Sequence, residues 1–345
     1  MIKLLIITQK LDKSDENLGF FHSWLKEFAK YCSELTVIAS FVGKTDLPEN
    51  IRIYSLGKES GTRKFFRIIK FWQLLFCHYS NANAVFFHMI PEFVLAATPF
   101  IFFSKKPIAL WYTHKSVTRK LKLAEKLVDY IFTASELSFR LPSKKVIFTG
   151  HAIDTNFFQP AKKKTGQGVK LLALGRISPI KGYEIIIRAC SRLKNYWARS
   201  WVLSVVGGPL MPRDDEYFYS LKKLVQENDL GNRISFYGAR PHTEIPEIYN
   251  DHDIFISMSS TGSLDKSVLE AMSAGLTVLV SNEAFQSILP GKYFLKKRSP
   301  EFLAERIKVL ADEPRPNFIL RELVVGNHSL EKTIRKIMEI LGMAV

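Results

Sequence analysis

The chain alternates short apolar runs with helical patterns along most of its length, and this alternation limits the folds open to it. Strands separated by helices pair in parallel, and the helices cover the faces of the sheet. The sequence therefore predicts an α/β protein with parallel sheets in both halves. The predicted strands are Lys3–Thr8, Leu35–Ser40, Ile51–Ser55, Ala84–His88, Ile108–Tyr112, Tyr130–Thr133, Lys145–Phe148, Lys170–Leu174, Trp201–Val206, Arg233–Tyr237, Asp253–Ser257 and Leu276–Val280.

A polar, basic stretch divides the chain into two parts. Residues 161–168 read AKKKTGQG, a composition typical of a linker. With 345 residues the chain is long enough for two domains, each with its own core. We expect an N-terminal domain over 1–160, a C-terminal domain over 169–325, and a closing helical segment over 326–345.

Composition excludes several classes of protein. The three cysteines, Cys32, Cys77 and Cys190, are widely separated, which excludes a disulfide framework and indicates a reducing compartment. The opening MIKLLIITQ is too short for a signal peptide, and no run approaches the roughly 20 apolar residues of a membrane span. We predict a cytoplasmic protein without a metal site. The histidines show no zinc-binding spacing, and in the possible metal motif Asp251-His252-Asp253 the second aspartate opens a strand.

The first candidate site follows a predicted buried strand. The loop GRISPIKG, residues 175–182, lies between that strand and a helical pattern that starts near Tyr183. Open α/β sheets bind ligands at such strand ends. Arg176 offers a planar fork to phosphate oxygens and Lys181 a compact charge, so together they can neutralise a pyrophosphate.

The second candidate site is the start of the helix in SLDKSVLEAMSAG, residues 263–275. Ser263 or Asp265 is suited to cap this helix, which we expect to begin near Leu264. Its first-turn N–H groups and the positive end of its dipole would face an anion lying against Gly262, Ser263 and Leu264. Glu270, one turn further, is placed to accept hydrogen bonds from a ribose diol. The alternative is an ordinary corner with a solvated glutamate.

Together these segments resemble the retaining glycosyltransferases of the GT-B fold, specifically glycosyltransferase family 4. GRISPIKG is similar to the family's G-R-x-x-x-x-K-G loop, and SLDKSVLEAMSAG to the second half of its Glu-x7-Glu segment. The resemblance extends over nearly the whole chain, and its further motifs are VVGGP at 205–209, ISFYGAR at 234–240, HDIFISMS at 252–259, LGFFHSWLKEFAK at 18–30, LWYTHKS at 110–116 and GHAIDTNFF at 150–158.

The resemblance implies two Rossmann-like domains facing a cleft, with the C-terminal helix of 326–345 packed back on the N-terminal domain as in many proteins of this fold. It also assigns roles to individual residues. Arg176 and Lys181 would contact the donor diphosphate, and Glu270 the ribose. Gly207 would allow the donor to approach closely. Gly262 stands where the family has its first glutamate, which puts sugar contacts in doubt; Asp265 or Lys266 is a candidate to compensate.

In the N-terminal half the resemblance points to two strand-end residues. Gly19 matches the family's glycine beside the donor phosphate, although the usual glycine pair is reduced to Leu18-Gly19. His114 matches the histidine that relatives place beside the sugar, so we expect a sugar-side catalytic role for it. His88 also ends a strand, and a structural role and a place in the cleft both remain open.

The net charge of +16 calls for an acidic partner. In RKFFRIIKFWQLLF, residues 63–76, the cations Arg63, Lys64, Arg67 and Lys70 recur at helical spacing among aromatic residues. A basic, aromatic helix suits an anionic membrane surface, and residues 115–126 form a second candidate. The alternative is a pair of core-packing helices with solvated basic faces. No motif indicates nucleic acid.

The sequence thus predicts an enzyme that transfers a sugar from a nucleoside diphosphate, UDP or GDP, to a hydroxyl acceptor. From the resemblance we expect a hexosyltransferase that retains configuration, acts on a lipid-linked or cell-envelope glycan, and lies at the inner face of the membrane. No cofactor is expected besides the donor. The alternatives are a sugar-nucleotide epimerase of the same fold and a non-catalytic sugar-nucleotide-binding subunit.

Overall fold

A computed structural model describes residues 1–161 and 168–343, so most of the predicted linker, 162–167, lies outside the described residues. The described strands are β1 Ile2–Leu11, β2 Cys32–Val42, β3 Ile51–Ser55, β4 Ala84–His88, β5 Ile108–Trp111, β6 Tyr130–Thr133, β7 Val146–Phe148, β8 Val169–Leu174, β9 Trp201–Val206, β10 Ile234–Phe236, β11 Ile254–Ser257 and β12 Thr277–Val280. The described α-helices are α1 Phe20–Ala29, α2 Lys64–His78, α3 Pro91–Ala96, α4 Thr98–Ile101, α5 Arg119–Leu127, α6 Tyr183–Tyr196, α7 Pro212–Glu227, α8 Ile245–Asn250, α9 Lys266–Ser273, α10 Pro300–Leu310, α11 Phe318–Asn327 and α12 Leu330–Met343.

The chain forms two compact units. The first contains Met1–Asp154 and the segment from His328 onward, and the second contains Thr155–Asn327. The first boundary therefore lies six residues before the predicted one at 160. The residues after Asp154 pack with the second unit, because the Arg321 guanidinium donates to the carbonyl oxygens of Thr155 and Phe158, each at 3.0 Å.

The first unit is built on a seven-stranded parallel sheet of order β3-β2-β1-β4-β5-β6-β7. Its central strand β1 pairs with β2 and β4, for example Leu5 with Thr36 and with Val85. Both faces are covered. Leu4 and Ile6 pack with α1 and α12, whereas Leu5 and Ile7 pack with α2, α3 and α5. Continuous apolar strands are what burial on both faces requires.

The last helix of the chain belongs to the core of the first unit. Ile334, Ile337 and Leu341 of α12 are fully buried in the same cluster as Phe21 and Trp24 of α1. Burying a side chain of this size stabilises the fold by about 1.5–3 kcal/mol. Three such residues on one helical face explain why α12 packs here although it is far away in the sequence.

The second unit is built on a five-stranded parallel sheet of order β10-β9-β8-β11-β12. The connections after β8 run towards β9 and β10, whereas the later strands β11 and β12 lie on the other side of β8. The strand order therefore reverses between β8 and β11. In doubly wound sheets the crevice at this switch point, beyond the carboxyl ends of the strands, is where ligands bind.

Candidate functional site

The GRISPIKG loop follows β8 at the switch point of the second unit. Gly182 has a left-handed φ of 66° and precedes α6. A Cβ atom added to Gly182 would lie 2.7 Å from the carbonyl oxygen of Met258, in the loop after β11. Glycine is therefore required here both by the backbone conformation and by the close approach of the two loops.

Gly207 directly follows β9 and lies against the backbone of Gly175, the first residue of this loop. Its φ is 133°, and a Cβ atom on it would lie 2.0 Å from the carbonyl oxygen of Gly175. Its own amide donates to Gly238 O at 2.8 Å. The neighbouring strand ends thus meet backbone to backbone. This contact gives Gly207 a structural role beside the donor-binding role that the resemblance implies.

The two predicted phosphate cations differ in their surroundings. Arg176 is exposed at the beginning of the loop. Lys181 is only 20% exposed, and its ammonium donates to Asp265 Oδ1 at 2.7 Å. The structure thereby joins the loop after β8 to the loop after β11 through an ion pair between residues that are 84 positions apart.

The helix after β11 begins later than predicted. Helix α9 starts at Lys266, two residues beyond Leu264, and Asp265 occupies the N-cap position. The Asp265 side chain makes no capping hydrogen bond, and Ser263 lies outside the cap. Both oxygens of Asp265 are bonded elsewhere, one to Lys181 and the other to Asn282. Gly262, in the loop before the helix, has a left-handed φ of 66°.

Asn282 is a further residue of this site, which no sequence motif indicated. This residue is fully buried and follows β12. Its amide nitrogen lies 2.7 Å from Ser263 O and 3.1 Å from Asp265 Oδ2, and it donates to these atoms. Its oxygen accepts from Ala284 N at 3.1 Å. The available signal was its position, since a polar residue shortly after a buried strand lies at the same edge of the sheet as the phosphate loop.

Glu270 lies on the buried side of α9 and is only 7% exposed. The alternative of a solvated glutamate is therefore excluded. The hydroxyl of Tyr249 lies 3.1 Å from Glu270 Oε2 and 3.0 Å from Ser267 O, so its single proton can serve either acceptor.

Lys266, one helical turn before Glu270, places an ammonium in the same buried region. Burial raises the pKa of Glu270, and the positive charge of Lys266 opposes this effect. Burial likewise lowers the pKa of Lys266, which the Glu270 carboxylate opposes. Tyr249, which no sequence motif indicated either, has its pKa raised well above 10 by burial.

The N-terminal candidates lie in the first unit, the two histidines at or just after strand ends and Gly19 at the start of a helix. Gly19 is buried at the N-cap of α1 with an ordinary helical φ of −55°. His114 is exposed after β5, and its Nδ1 accepts from Ser116 N at 3.2 Å. His88 is only 1% exposed, lies 3.1 Å from the Thr8 hydroxyl, and stacks on Phe21. These contacts favour the structural role for His88.

Helix α2 buries few of its apolar side chains. Only Phe71 and Leu75 are buried, whereas the aromatic residues Phe65 and Phe76 are 68% and 80% exposed. The exposed residues Phe65, Ile69, Trp72 and Phe76 recur at helical spacing and form one stripe, which we call the α2 stripe.

The predicted membrane cations lie mainly away from the α2 stripe. Lys70 is exposed on another side of the helix, and Lys64 is exposed as well. Arg63 is exposed at the N-cap position, before the helix begins. Arg67 is half-buried with a buried Nε, so it offers less charge to a surface than predicted.

The second basic segment lies on the same side of the sheet as α2. Leu121 of α5 packs in the same core as Phe71. Lys120 of α5 donates to Glu92 at 2.7 Å, and this bond is the main cause of a lowered pKa at Glu92, to which the charge of Lys64 also contributes. The two basic stretches therefore converge near the start of α3. No helix within 1–161 and 168–343 has the length and hydropathy needed to cross a membrane.

Parts of the chain are similar in sequence to curated proteins. Mannosylfructose-phosphate synthase from Agrobacterium fabrum is 26% identical over 169 residues, which are 46% of this chain and 37% of that protein. The lipopolysaccharide core biosynthesis mannosyltransferase LpsB from Rhizobium meliloti is 30% identical over 155 residues, 41% of this chain and 42% of that protein. The chain thus spans about two fifths of the length of these curated relatives.

Solved structures share the fold at low sequence identity. HepE from Anabaena, crystallised in complex with UDP and glucose, aligns over 99% of this chain and 100% of its own with a TM-score of 0.74 and 14% identity. The two Rossmann-like domains predicted from the sequence are confirmed by this likeness and by the two sheets. A sequence model of the family described as glycosyl transferases group 1 matches residues 154–339, more than half of the chain. The chain belongs to the glycosyl transferases group 1 family.

Proposed function

We propose that the protein is a glycosyltransferase that takes a sugar from a nucleoside diphosphate and transfers it to a hydroxyl acceptor. The observation that carries this proposal is the junction of the loops after β8 and β11 at the switch point of the second unit. A cation, several glycine-containing turns and the uncapped start of α9 lie together there. These are the groups that bind a diphosphate.

Arg176 and Lys181 would hold the two phosphates, and the amides at the start of α9 would add the positive end of a helix dipole. When the glycosidic bond breaks, negative charge grows on the leaving diphosphate. Fixed cations and dipoles stabilise that charge more than they stabilise the bound donor, and this difference is what lowers the barrier. Glu270 would accept hydrogen bonds from the ribose diol.

The family resemblance supports a retaining hexosyl transfer in which Gly19 lies beside the donor and His114 beside the sugar. Two relatives support the class of donor and acceptor. One is named as a lipopolysaccharide core mannosyltransferase, and HepE was crystallised with UDP and glucose. We infer a UDP- or GDP-linked donor and a lipid-linked or envelope glycan as the acceptor.

Helix α2 supports a membrane location for that acceptor. The segment Lys64–His78 contains three cations and no acidic residue, and its α2 stripe is exposed. Aromatic side chains favour the headgroup boundary, while cations are attracted to anionic lipids. We propose that α2 holds the enzyme at an anionic membrane surface, which in the cell would be the cytoplasmic face.

Incubating the full chain with labelled nucleotide sugars and a membrane lipid extract tests this function. We expect the label to move to a lipid or glycan product. Interconversion of the free donor would indicate an epimerase. Binding of the donor without either reaction would indicate a non-catalytic subunit, which the loss of a carboxylate at Gly262 makes a specific alternative. In either case the proposed transfer is contradicted.

A further inference from the structure

The Lys181–Asp265 ion pair is an unusual arrangement for a loop that is to bind diphosphate, because it places a carboxylate beside one of the two cations. The pair is well shielded, with side-chain exposures of 20% for Lys181 and 10% for Asp265. Its two partners belong to the two loops that meet at the switch point. An opposite charge at 2.7 Å offsets much of the attraction that Lys181 exerts on another anion.

The Asp265 carboxylate is fixed in this position by its surroundings. Asp265 holds the N-cap position of α9, where an aspartate normally accepts from the first-turn amides, yet its side chain makes no such bond. Oδ1 accepts from Lys181 and Oδ2 from Asn282, which is itself fully buried. The carboxylate is therefore directed at the phosphate cation instead of its own helix.

Such a pair has opposite effects on two steps of a transfer reaction. The Lys181 ammonium has three N–H donors and uses one in the hydrogen bond to Asp265, so two remain for phosphate oxygens. The bond to Asp265 orients these protons and reduces the loss of side-chain freedom when the donor binds. The same carboxylate repels a bound diphosphate. It therefore weakens the complex with the product, which keeps both phosphates after the sugar has left.

We propose that Asp265 is a positioning residue that orients Lys181 and balances its charge, so that the nucleoside diphosphate product is released rapidly. This inference rests on the proposed function, because it assumes that Lys181 contacts the diphosphate. Two differences from the family then lie in the same loop. At Gly262 the chain lacks the family's first glutamate, and three residues later Asp265 supplies a carboxylate that acts on Lys181, the cation that contacts the leaving diphosphate.

The test is the substitution Asp265→Asn in the full chain. Asparagine keeps the size of the side chain and an oxygen that accepts from Lys181, but it removes the negative charge. We expect UDP, GDP or pyrophosphate to bind about tenfold more tightly, the scale of one charge interaction across a few ångströms of partly shielded protein. Calorimetry gives the affinity, and stopped-flow fluorescence with a labelled UDP or GDP gives a release rate slowed by a similar factor.

Two further variants make the result decisive. Asp265→Ser also removes the charge and supplies a good N-cap for α9, so it tests the proposal if the asparagine variant folds poorly. Asp229→Asn is the matched control, because Asp229 pairs with Lys194 at 2.6 Å in the same unit and Asp229 is highly exposed. The control should leave binding and release unchanged.

A purely structural role for Asp265 predicts the opposite result. In that case the folded variants would bind the diphosphates equally or more weakly than the wild type, and the inference would be overturned while the proposed function stood. If the wild type itself binds no nucleoside diphosphate, the proposed function fails first, and this inference fails with it.

Discussion

Arg176 and Lys181 carry the positive charge that we assign to the donor diphosphate. We expect Arg176→Ala and Lys181→Ala each to weaken nucleoside diphosphate binding at least tenfold, because charge-assisted hydrogen bonds are lost. Arg176 is exposed, so its loss should leave stability unchanged. The Lys181 variant should lose about 1–2 kcal/mol, a value between those for exposed and buried ion pairs.

Calorimetry with UDP and GDP measures these affinities, and urea unfolding measures the stability. The matched control is Arg192→Ala, which removes an exposed cation of α6 that pairs with Glu301. If both loop variants are folded and bind the nucleotide like the control, the assignment of the phosphate site is wrong.

We expect Glu270 to contribute to binding of the nucleoside part of the donor and not to binding of its phosphates. We expect Glu270→Gln to weaken UDP or GDP binding about tenfold or more while pyrophosphate binding stays unchanged, because the lost acceptor faces the ribose. This variant also leaves the buried Lys266 ammonium without the opposing carboxylate charge, so stability should fall by a few kcal/mol.

The double variant Lys266→Met/Glu270→Gln separates these two effects. It removes both charges, so stability should recover but nucleotide affinity should not. Equal weakening of nucleotide and pyrophosphate in Glu270→Gln would make Glu270 a structural or phosphate-side residue.

His328 gives the first unit a pH dependence. Burial lowers the pKa of His328 from 6.5 to about 4. The unfolded chain therefore takes up this proton before the folded chain does, and the stability present above pH 6.5 is lost as the pH falls towards 4. The full loss is about 3 kcal/mol. Urea unfolding at pH 7 and at pH 5 measures this effect. The free energy of unfolding should fall less between the two pH values for His328→Asn than for the wild type, and an identical fall would contradict the assignment.

At the scale of one element, α2 combines two kinds of membrane contact. We expect Arg63→Gln/Lys64→Gln/Arg67→Gln/Lys70→Gln to lose most binding to anionic vesicles, since each cation near such a surface contributes about 1 kcal/mol and Arg67 less because it is half-buried. Phe65→Ser/Phe76→Ser should remove the part of the binding that resists salt. Trp72 is kept, because its indole donates to Ala96 O at 2.8 Å.

Vesicle sedimentation on neutral and anionic lipid, at low and high salt, measures both contributions. The control is Phe318→Ser/Ile319→Ser, which removes an exposed apolar pair of similar size from α11 in the second unit. If wild type and both α2 variants sediment alike, α2 is an ordinary surface helix and the proposed membrane contact is contradicted.

The elements themselves could be predicted from sequence because their signals are local. Apolar runs such as 84–88 and 201–206 gave strands with the observed ends. Helix α9 begins two residues beyond Leu264, so of the two predicted caps it is Asp265 and not Ser263 that holds the N-cap position, and its side chain binds Lys181 and Asn282 instead of the helix. Local sequence shows which residues suit a cap, but it does not show which distant partner competes for them.

At the scale of the whole molecule, the strand order decides what the sequence could reveal about the site. Strand ends that carry Gly175, Gly207 and Gly262 could be recognised one by one. Only the topology shows that β8 and β11 are neighbouring strands. Because they are neighbours, Lys181 reaches Asp265. The roles of Asn282 and Tyr249 could not be predicted for the same reason. These side chains bond to Asp265 and Glu270, which lie 17 and 21 positions away in the sequence.

The transfer of a labelled sugar is the most direct test of the central claim, which is that the strand-end loops of the second unit hold the donor for transfer. The full chain is incubated with labelled UDP- and GDP-sugars and a membrane lipid extract, beside the folded Arg176→Ala/Lys181→Ala variant. We predict that label enters the lipid or glycan fraction with the wild type and at least a hundredfold more slowly with the variant. Equal transfer by both proteins, or no transfer from any donor by the folded wild type, would contradict the account.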